Sequence, residues 1–390
     1  MIRLRSWHYN KEMPARCRRY KSMNGFDFLP TTRVIFGVDA LDQLGTVAKE
    51  LGARRALLVT DAGIINAGYA EQAHDSLRKQ SVETFSFSDV DENPTTRQVE
   101  AGVDFAQRTG ELDLIIGLGG GSPMDCAKAI NFLLTNGGRM EDFWGFNKAT
   151  KPMLPSIGIP TTAGTGSEAQ SYALISQEGT HTKMACGDIK ARFRVVILDP
   201  ALTTTAPRGV TAVSGIDAIT HAVETYVTKN RNPFTQMYSM EAWKLLSQNF
   251  ETVLQEPANI QARAAMLLGS HFAGVAIEYS MLGAAHACAN PLTARYGVAH
   301  GVAVGLMLPA VISFNQADVA KEYRQLSDNL LDTILELKEI AKLPQKLSEF
   351  QVERSILPEL ARDAATQWTG QHNPRPLTES DFLALYESTF

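Results

Sequence analysis

The apolar run of residues 112–118 leads straight into Gly119, Gly120 and Gly121, and then into a helical pattern over 122–134. A strand without polar alternation is one buried on both faces, which is the habit of a parallel sheet covered by helices. Three glycines after it let the backbone come close to an anion, and the helix N-terminus that follows offers free N–H groups and a partial positive charge. The run from Gly117 to Ser122 is not the usual G-x-G-x-x-G dinucleotide fingerprint, because position 122 is Ser and the loop follows a later strand than the first. The plainer reading is a tight strand–helix turn.

Neighbouring segments repeat the alternation. Strands are expected at 55–60, 82–88, 153–159, 172–176 and 194–198, with helices from the Asp61-Ala62-Gly63 turn to about 78 and over 95–108. This alternation predicts a parallel sheet flanked by helices. After Asp199-Pro200 the pattern becomes helical, for example over 235–250 and 260–277. The expected organisation is a basic leader over 1–22, an α/β domain over 23–200 that binds a dinucleotide, and an all-α domain over 201–390.

The leader carries Arg3, Arg5, Lys11, Arg16, Arg18, Arg19 and Lys21 against Glu12 alone. It reads as a disordered extension, or as a start assigned too early, with Met23 the true beginning; an organelle-targeting sequence is the rival. Over the whole chain the net charge is −5, which gives no sign of a nucleic-acid binder. The apolar runs at 112–118 and 302–311 are too short to span a bilayer. Cys17, Cys126, Cys186 and Cys288 are scattered and form no C-x-x-C pair, as expected of reduced thiols in a cytoplasmic protein.

Two further groups carry chemistry. A second loop, Pro160-Thr161-Thr162-Ala163-Gly164-Thr165-Gly166-Ser167-Glu168, offers hydroxyls and glycines suited to a diphosphate or a ribose. Asp61, at the end of the first expected strand, could accept hydrogen bonds from an adenosine ribose and repel a 2′-phosphate, which favours NAD over NADP; its plainer reading is an Asx turn. On a helix, Asp217 and His221 lie four apart on one face, where they can chelate a divalent cation. His286 and His300 complete a set of one carboxylate and three imidazoles that suits Fe(II) or Zn(II). An intrahelical Asp–His pair and satisfied core histidines are the plainer reading.

Taken in order, these pieces resemble the iron-containing (group III) alcohol dehydrogenase family. The likeness runs from about Phe28 to the C-terminus and includes Thr32 to Gly37, Thr60-Asp61, Asn93-Pro94-Thr95, Gly119 to Ser122, Pro160 to Glu168, Gly215 to Ala218, His221 to Glu224, His286, His300-Gly301 and Asn373 to Pro376. The resemblance implies a dehydroquinate-synthase-like architecture, with the metal in the cleft between an N-terminal nucleotide domain and a C-terminal helical domain. It implies Asp217, His221, His286 and His300 as ligands. Asp61, Asn93, Gly119, Gly120, Gly121, Ser122, Asp125, Thr161, Thr162, Thr165, Ser167 and Lys183 are implied to line NAD. It also implies Ile277, Leu282 and Asn290 at the substrate, a small alcohol or aldehyde, and a homodimer or larger homo-oligomer. The chemistry implied is Lewis-acid polarisation of the substrate oxygen with hydride passing to or from the nicotinamide.

Two departures stand out. Asn290 occupies a position where relatives often carry a proton-relaying histidine, and an amide has no proton to exchange near neutral pH. Residues 276–280 also differ from the usual segment near the substrate. Two alternatives share the architecture. One is a dehydroquinate-synthase-like lyase, which needs a basic cleft; Arg295 is the main cation expected near the ligands. The other is an inactive nucleotide-binding relative, against which the intact ligand set argues.

Overall fold

A computed structural model describes residues 25–179 and 182–390. The basic leader, the Met23 start and Cys17 lie outside the described residues. In chain order the strands are β1 (Arg33–Phe36), β2 (Arg55–Val59), β3 (Glu83–Phe87), β4 (Leu114–Gly119), β5 (Gly145–Phe146), β6 (Ser156–Pro160), β7 (Tyr172–Ser176), β8 (Lys183–Gly187) and β9 (Val195–Leu198). Between them lie α1 (Leu44–Glu50), α2 (Ala62–Asn66), α3 (Tyr69–Lys79), α4 (Thr96–Thr109) and α5 (Gly121–Asn136).

Six strands form a parallel sheet in the order β1-β9-β6-β4-β2-β3. Its faces follow the strand alternation. Leu58, Ile116, Ile157 and Ile197 pack with Leu44 and Val47 of α1 and Leu77 of α3. Leu57, Val59 and Ile115 pack on the other face with Val99 of α4 and Cys126 and Ile130 of α5. The chain steps outward from β2 to β3, then returns past β2 to β4. Strand order therefore reverses between β2 and β4, and the crevice at their carboxyl ends is where open α/β sheets bind ligands.

Three sequence expectations are corrected. Asp61 follows the second strand, since β1 precedes it. The helix expected to run to 78 is broken by Gly68, whose φ of 81° ends α2 and starts α3. Residues 172–176 do not join the parallel sheet. They pair antiparallel with β8 in a separate three-stranded sheet, ordered β5-β8-β7.

From Arg208 onward the chain is helical: α6 (Arg208–Val227), α7 (Pro233–Gln255), α8 (Ile260–Ser280), α9 (Ala284–Tyr296), α10 (His300–Leu326), α11 (Leu330–Ala341), α12 (Leu357–Ala365) and α13 (Glu379–Ser388). A capping box at Asn232, with Pro233 at the first helical position, starts α7. Helices α8 and α10 are long and apolar enough to cross a membrane, unlike the short runs noted in the sequence. Their most apolar windows are 61% and 56% buried within the chain, as suits core helices. Around them α6 is the central element, buried almost from end to end.

Two contacts fasten the helices to the sheet region. Gly166 in the second loop, with φ 61°, meets Gly274 of α8 backbone to backbone. A Cβ on Gly166 would stand 2.6 Å from the Gly274 Cα. Nearby, the buried Glu278 carboxylate of α8 accepts from the Ser171 N–H at 2.8 Å, the Ser171 hydroxyl at 3.0 Å and the Arg192 guanidinium at 2.5 Å. Removing one partner of a buried pair strands the other charge. Glu278→Ala should therefore lower unfolding stability by about 3–5 kcal/mol, and pairing Glu278→Leu with Arg192→Met should recover most of it. Chemical denaturation of the three proteins checks this; an unchanged midpoint in Glu278→Ala would refute it.

Candidate metal and cofactor site

Asp217 and His221 project from one face of α6, His286 from the first turn of α9, and His300 is the first residue of α10. Asp217 Oδ1 lies 3.4 Å from His221 Nε2 and 3.5 Å from His286 Nε2. One donor atom from each of these three residues falls within 4.8 Å of the others. His300 stands beyond that group, its ring centroid 5.4 Å from that of His286, and borders the same cleft. Asp217 Oδ1, His221 Nδ1, His286 Nε2 and His300 Nδ1 are all buried without a hydrogen-bond partner.

Local packing explains why the helices meet here. The Glu224 carboxylate, one turn beyond His221, accepts from the Ala285 N–H at 2.7 Å and from His286 Nδ1 at 2.6 Å. It thus caps α9 and turns His286 Nε2 toward Asp217. Gly283 makes room for this, since a Cβ there would lie 2.9 Å from Glu224 Oε1. Gly301 does the same for α10, where a Cβ would lie 2.3 Å from the Val213 carbonyl of α6. Burial lowers His221 to about 4. Burial, then the charge of Lys183, lowers His300 to about 3. Both imidazoles are therefore neutral and able to ligate at neutral pH. Burial also opposes charge on His286, but the Glu224 carboxylate and then Asp217 outweigh it and raise the group to about 9, so ligation through its Nε2 would displace a proton. Burial pushes the Asp217 carboxyl up, and the three histidines more than reverse that, holding it below its usual value.

The four residues form one wall of a cleft of about 460 Å³. The opposite wall is built from the two glycine-bearing loops: Gly120, Gly121, Ser122 and Asp125 at the start of α5, and Thr162, Thr165 and Ser167 from the loop after β6. Asn93 lines it too, and its N–H donates to Ser122 Oγ at 3.3 Å. Lys183, Ile277, Leu282 and Asn290 complete the lining among the residues expected from sequence. An adjoining cavity of about 520 Å³ shares Gly120, Gly121, Ser122 and Thr162 and adds Asp61 and Thr161. Gly119 borders neither cavity; its φ of 147° carries the chain beneath Asp61, whose Oδ2 lies 3.2 Å from where a Cβ would sit. Asp61 also caps α2, Oδ1 accepting from the Ile64 N–H at 3.0 Å, so the Asx role and a place at the crevice coexist.

Sequence comparison finds the family described as iron-containing alcohol dehydrogenase over residues 30–200, and its C-terminal family over 211–390. The chain belongs to the iron-containing alcohol dehydrogenase family. It is 32% identical to an NAD-dependent methanol dehydrogenase of Bacillus methanolicus over 93% of this chain and 98% of that one. It is 34% identical to long-chain-alcohol dehydrogenase 1 of Geobacillus thermodenitrificans over 93% and 96%. Among solved structures, a 1,3-propanediol oxidoreductase superposes with TM-score 0.91 at 30% identity, covering 94% of this chain and all of that one.

Within this iron-containing alcohol dehydrogenase fold, one expected cation is misplaced. Arg295 pairs with Glu359 at 3.0 Å and Asp363 at 2.6 Å on the surface and does not line the cleft. Among the described residues Lys183 is the cation that does; Asp125, Asp217 and Glu92 line the same cleft, and desolvation pushes the lysine ammonium down. Asn290 reaches the cleft, but its amide N–H donates to Gln367 Oε1 at 3.0 Å. Sequence reasoning missed Lys128. It is fully buried and donates to Asp125 Oδ1, to the Ser167 carbonyl and hydroxyl, and to the Tyr172 carbonyl. It ties the two loops together, and Asp125 and Ser167 bond each other across it. A lysine three residues after an aspartate inside an otherwise apolar helix was the available signal. Tyr172, Leu174, Trp368 and Thr369 also line the cleft, and no motif pointed to them.

Proposed function

We propose that Asp217, His221, His286 and His300 hold one Fe(II) or Zn(II) beside a bound NAD(H), and that the cleft oxidises a small alcohol or reduces the matching aldehyde. As a member of the iron-containing alcohol dehydrogenase family, the chain is a metal-dependent, NAD-using oxidoreductase of alcohols and aldehydes. The observation that carries the assignment of residues is the meeting of two buried atoms without partners, Asp217 Oδ1 and His286 Nε2, 3.5 Å apart, with His221 Nε2 3.4 Å from the same carboxylate oxygen. Each such atom costs about 1–3 kcal/mol if left unsatisfied, so two facing each other need a common explanation. A divalent cation explains them, and a carboxylate with imidazoles is a donor set that both metals accept.

When bound, the metal supplies Lewis-acid polarisation of the substrate oxygen, and NAD takes or gives the hydride. The protein's part is positional. Glu224 fixes the ring of His286. The N-terminus of α5 presents free N–H groups to the cofactor diphosphate, with the hydroxyls of Thr162, Thr165 and Ser167 beside it. Lys128 holds those two loops in register. Ile277 and Leu282 exclude water from the reacting end. Asn290, one of its two amide N–H bonds engaged with Gln367, has the other N–H and its carbonyl oxygen to offer but no proton to exchange, so it orients rather than relays protons. The same reading places the enzyme in the cytoplasm, as a homodimer or larger homo-oligomer. Buried, unpaired Cys126, Cys186 and Cys288 support the first point. Edge strand β1, with Val34 and Phe36 exposed, supports the second.

NADH absorbance with a panel of alcohols and aldehydes, after reconstitution with each metal, tests the reading; no turnover with any pair would sink it. Glu224→Gln should weaken metal affinity about 10–100-fold, as loss of a group orienting a ligand does. Asp217→Ala should lose metal in competition with a chelator. Elemental analysis of both variants checks this, and wild-type retention by Glu224→Gln would overturn the role given to that residue. Preference for NAD(H) over NADP(H) is also expected, set by Asp61. Asp61→Ser keeps a cap for α2 while removing the charge, so it should raise relative use of NADPH without loss of stability. Equal use of both cofactors by the wild type would refute this.

A further inference from the structure

The small mixed sheet has two faces. Ala173, Ile175, Met184 and Cys186 point into the core beside α5, while Tyr172, Leu174, Lys183 and Ala185 line the cleft. The cleft face runs from polar to aromatic along the hairpin. Ser176 pairs with Lys183, then Leu174 with Ala185, then Tyr172 with Gly187. Lys183 is at the polar end of this face and lines the cleft together with Asp217 and His300. Gly187 is four residues farther along β8, and Tyr172, its partner on β7, lines the same cleft as Asp217.

At that far end the sheet builds an aromatic surface. Gly187 sits between Tyr172 on β7 and Phe146 on β5. Because it lacks a side chain, the two rings meet over it with centroids 5.6 Å apart. A Cβ there would stand 2.4 Å from Tyr172 Cε1 and 2.8 Å from a Phe146 ring carbon. Trp368, from the helical half, stacks on Tyr172 with centroids 5.6 Å apart and planes 26° apart. The Tyr172 backbone is held from both sides, its carbonyl by Lys128 and the preceding Ser171 by Glu278. Between Lys183 and this stack the sheet offers the hydrocarbon of Ala185 and Leu174, and Ile277 and Leu282 line the same cleft.

We propose that this pocket selects primary alcohols and aldehydes carrying an extended apolar tail, with Tyr172 and Trp368 as the specificity-determining residues and Phe146 as an outer extension. The proposal rests on the alcohol dehydrogenase reading above. The reacting carbon sits at the Asp217 end, and the tail runs outward along Leu174 and Ala185 onto the aromatic stack. A methylene that leaves water for such a wall gains about fourfold in binding. A polyol tail gains nothing there, because it gives up water for carbon atoms.

The test is a series of alcohols from ethanol to octanol, with glycerol as the polar comparison, turned over by the metal-loaded enzyme with NAD. The hexanol-to-ethanol ratio of kcat/KM should be about 100-fold or more, most of it in KM, since several methylenes contribute. Trp368→Ala and Tyr172→Ala should cut that ratio about tenfold, while Trp368→Phe, which keeps a ring, should retain most of it. Phe146→Ala should lower octanol relative to hexanol only. Turnover of ethanol with a flat series, or variants that keep the wild-type ratio, would overturn the aromatic selection while leaving the dehydrogenase reading intact. Failure of every alcohol and aldehyde would instead remove the reading on which it rests.

Discussion

The rest of the site depends on the burial of ionisable groups along α6. This helix has almost no face in water, yet it carries Asp217, His221 and Glu224 on successive turns. Each would be expensive there alone. Glu224 is satisfied by the start of α9, which fixes the direction of that helix and brings His286 into place. Asp217 and His221 are left facing inward with unused valence, and the start of α10 presses His300 toward the same side. The helical half is thus arranged around polar atoms that its own side chains do not satisfy.

The sheet half faces this wall with little of its own that is charged and unpaired. Its two loops are stitched by one buried ammonium, Lys128, whose acceptors come from α5, the second loop and the start of β7. Burial lowers the pKa of that ammonium, while Asp125 raises it by charge and by hydrogen bonding. The stitch reaches several parts of the cleft lining, since it touches Asp125 and Ser167 in the two glycine-bearing segments and Tyr172 on β7. The two loops and the start of β7 are therefore mechanically linked through a side chain that is itself fully buried.

Much of this was legible in the chain because the signals were local. The apolar run ending in Gly119–Gly121 reads as a buried strand and a turn, and it is both; Asp217 and His221 read as one helical face, and they share it. What escaped was set by partners distant in sequence. Lys183–Gly187 is short and has no β-branched residue, so nothing marks it as a strand until β7 pairs with it. Without that partner, 172–176 looks like one more parallel strand. Arg295 is close to His286 and His300 in the sequence, but on the far side of α9 it is claimed by Glu359 and Asp363 of α12. Trp368 reaches the cleft from a short 3₁₀ turn that no periodicity predicts. The break at Gly68 was missed for the opposite reason: one left-handed residue interrupts a pattern that is otherwise continuous.

The contact between Gly166 and Gly274 has a consequence for how such a chain can change. Each occupies the space where the other would carry a Cβ, and each lies on a different half of the cleft. An added methyl on either cannot be absorbed by a side-chain rotamer, because what it meets is main chain. It must move a loop or a helix, and with it one wall of the cleft. The two positions therefore act as a single spacer: a side chain on either one pushes the two walls of the cleft apart.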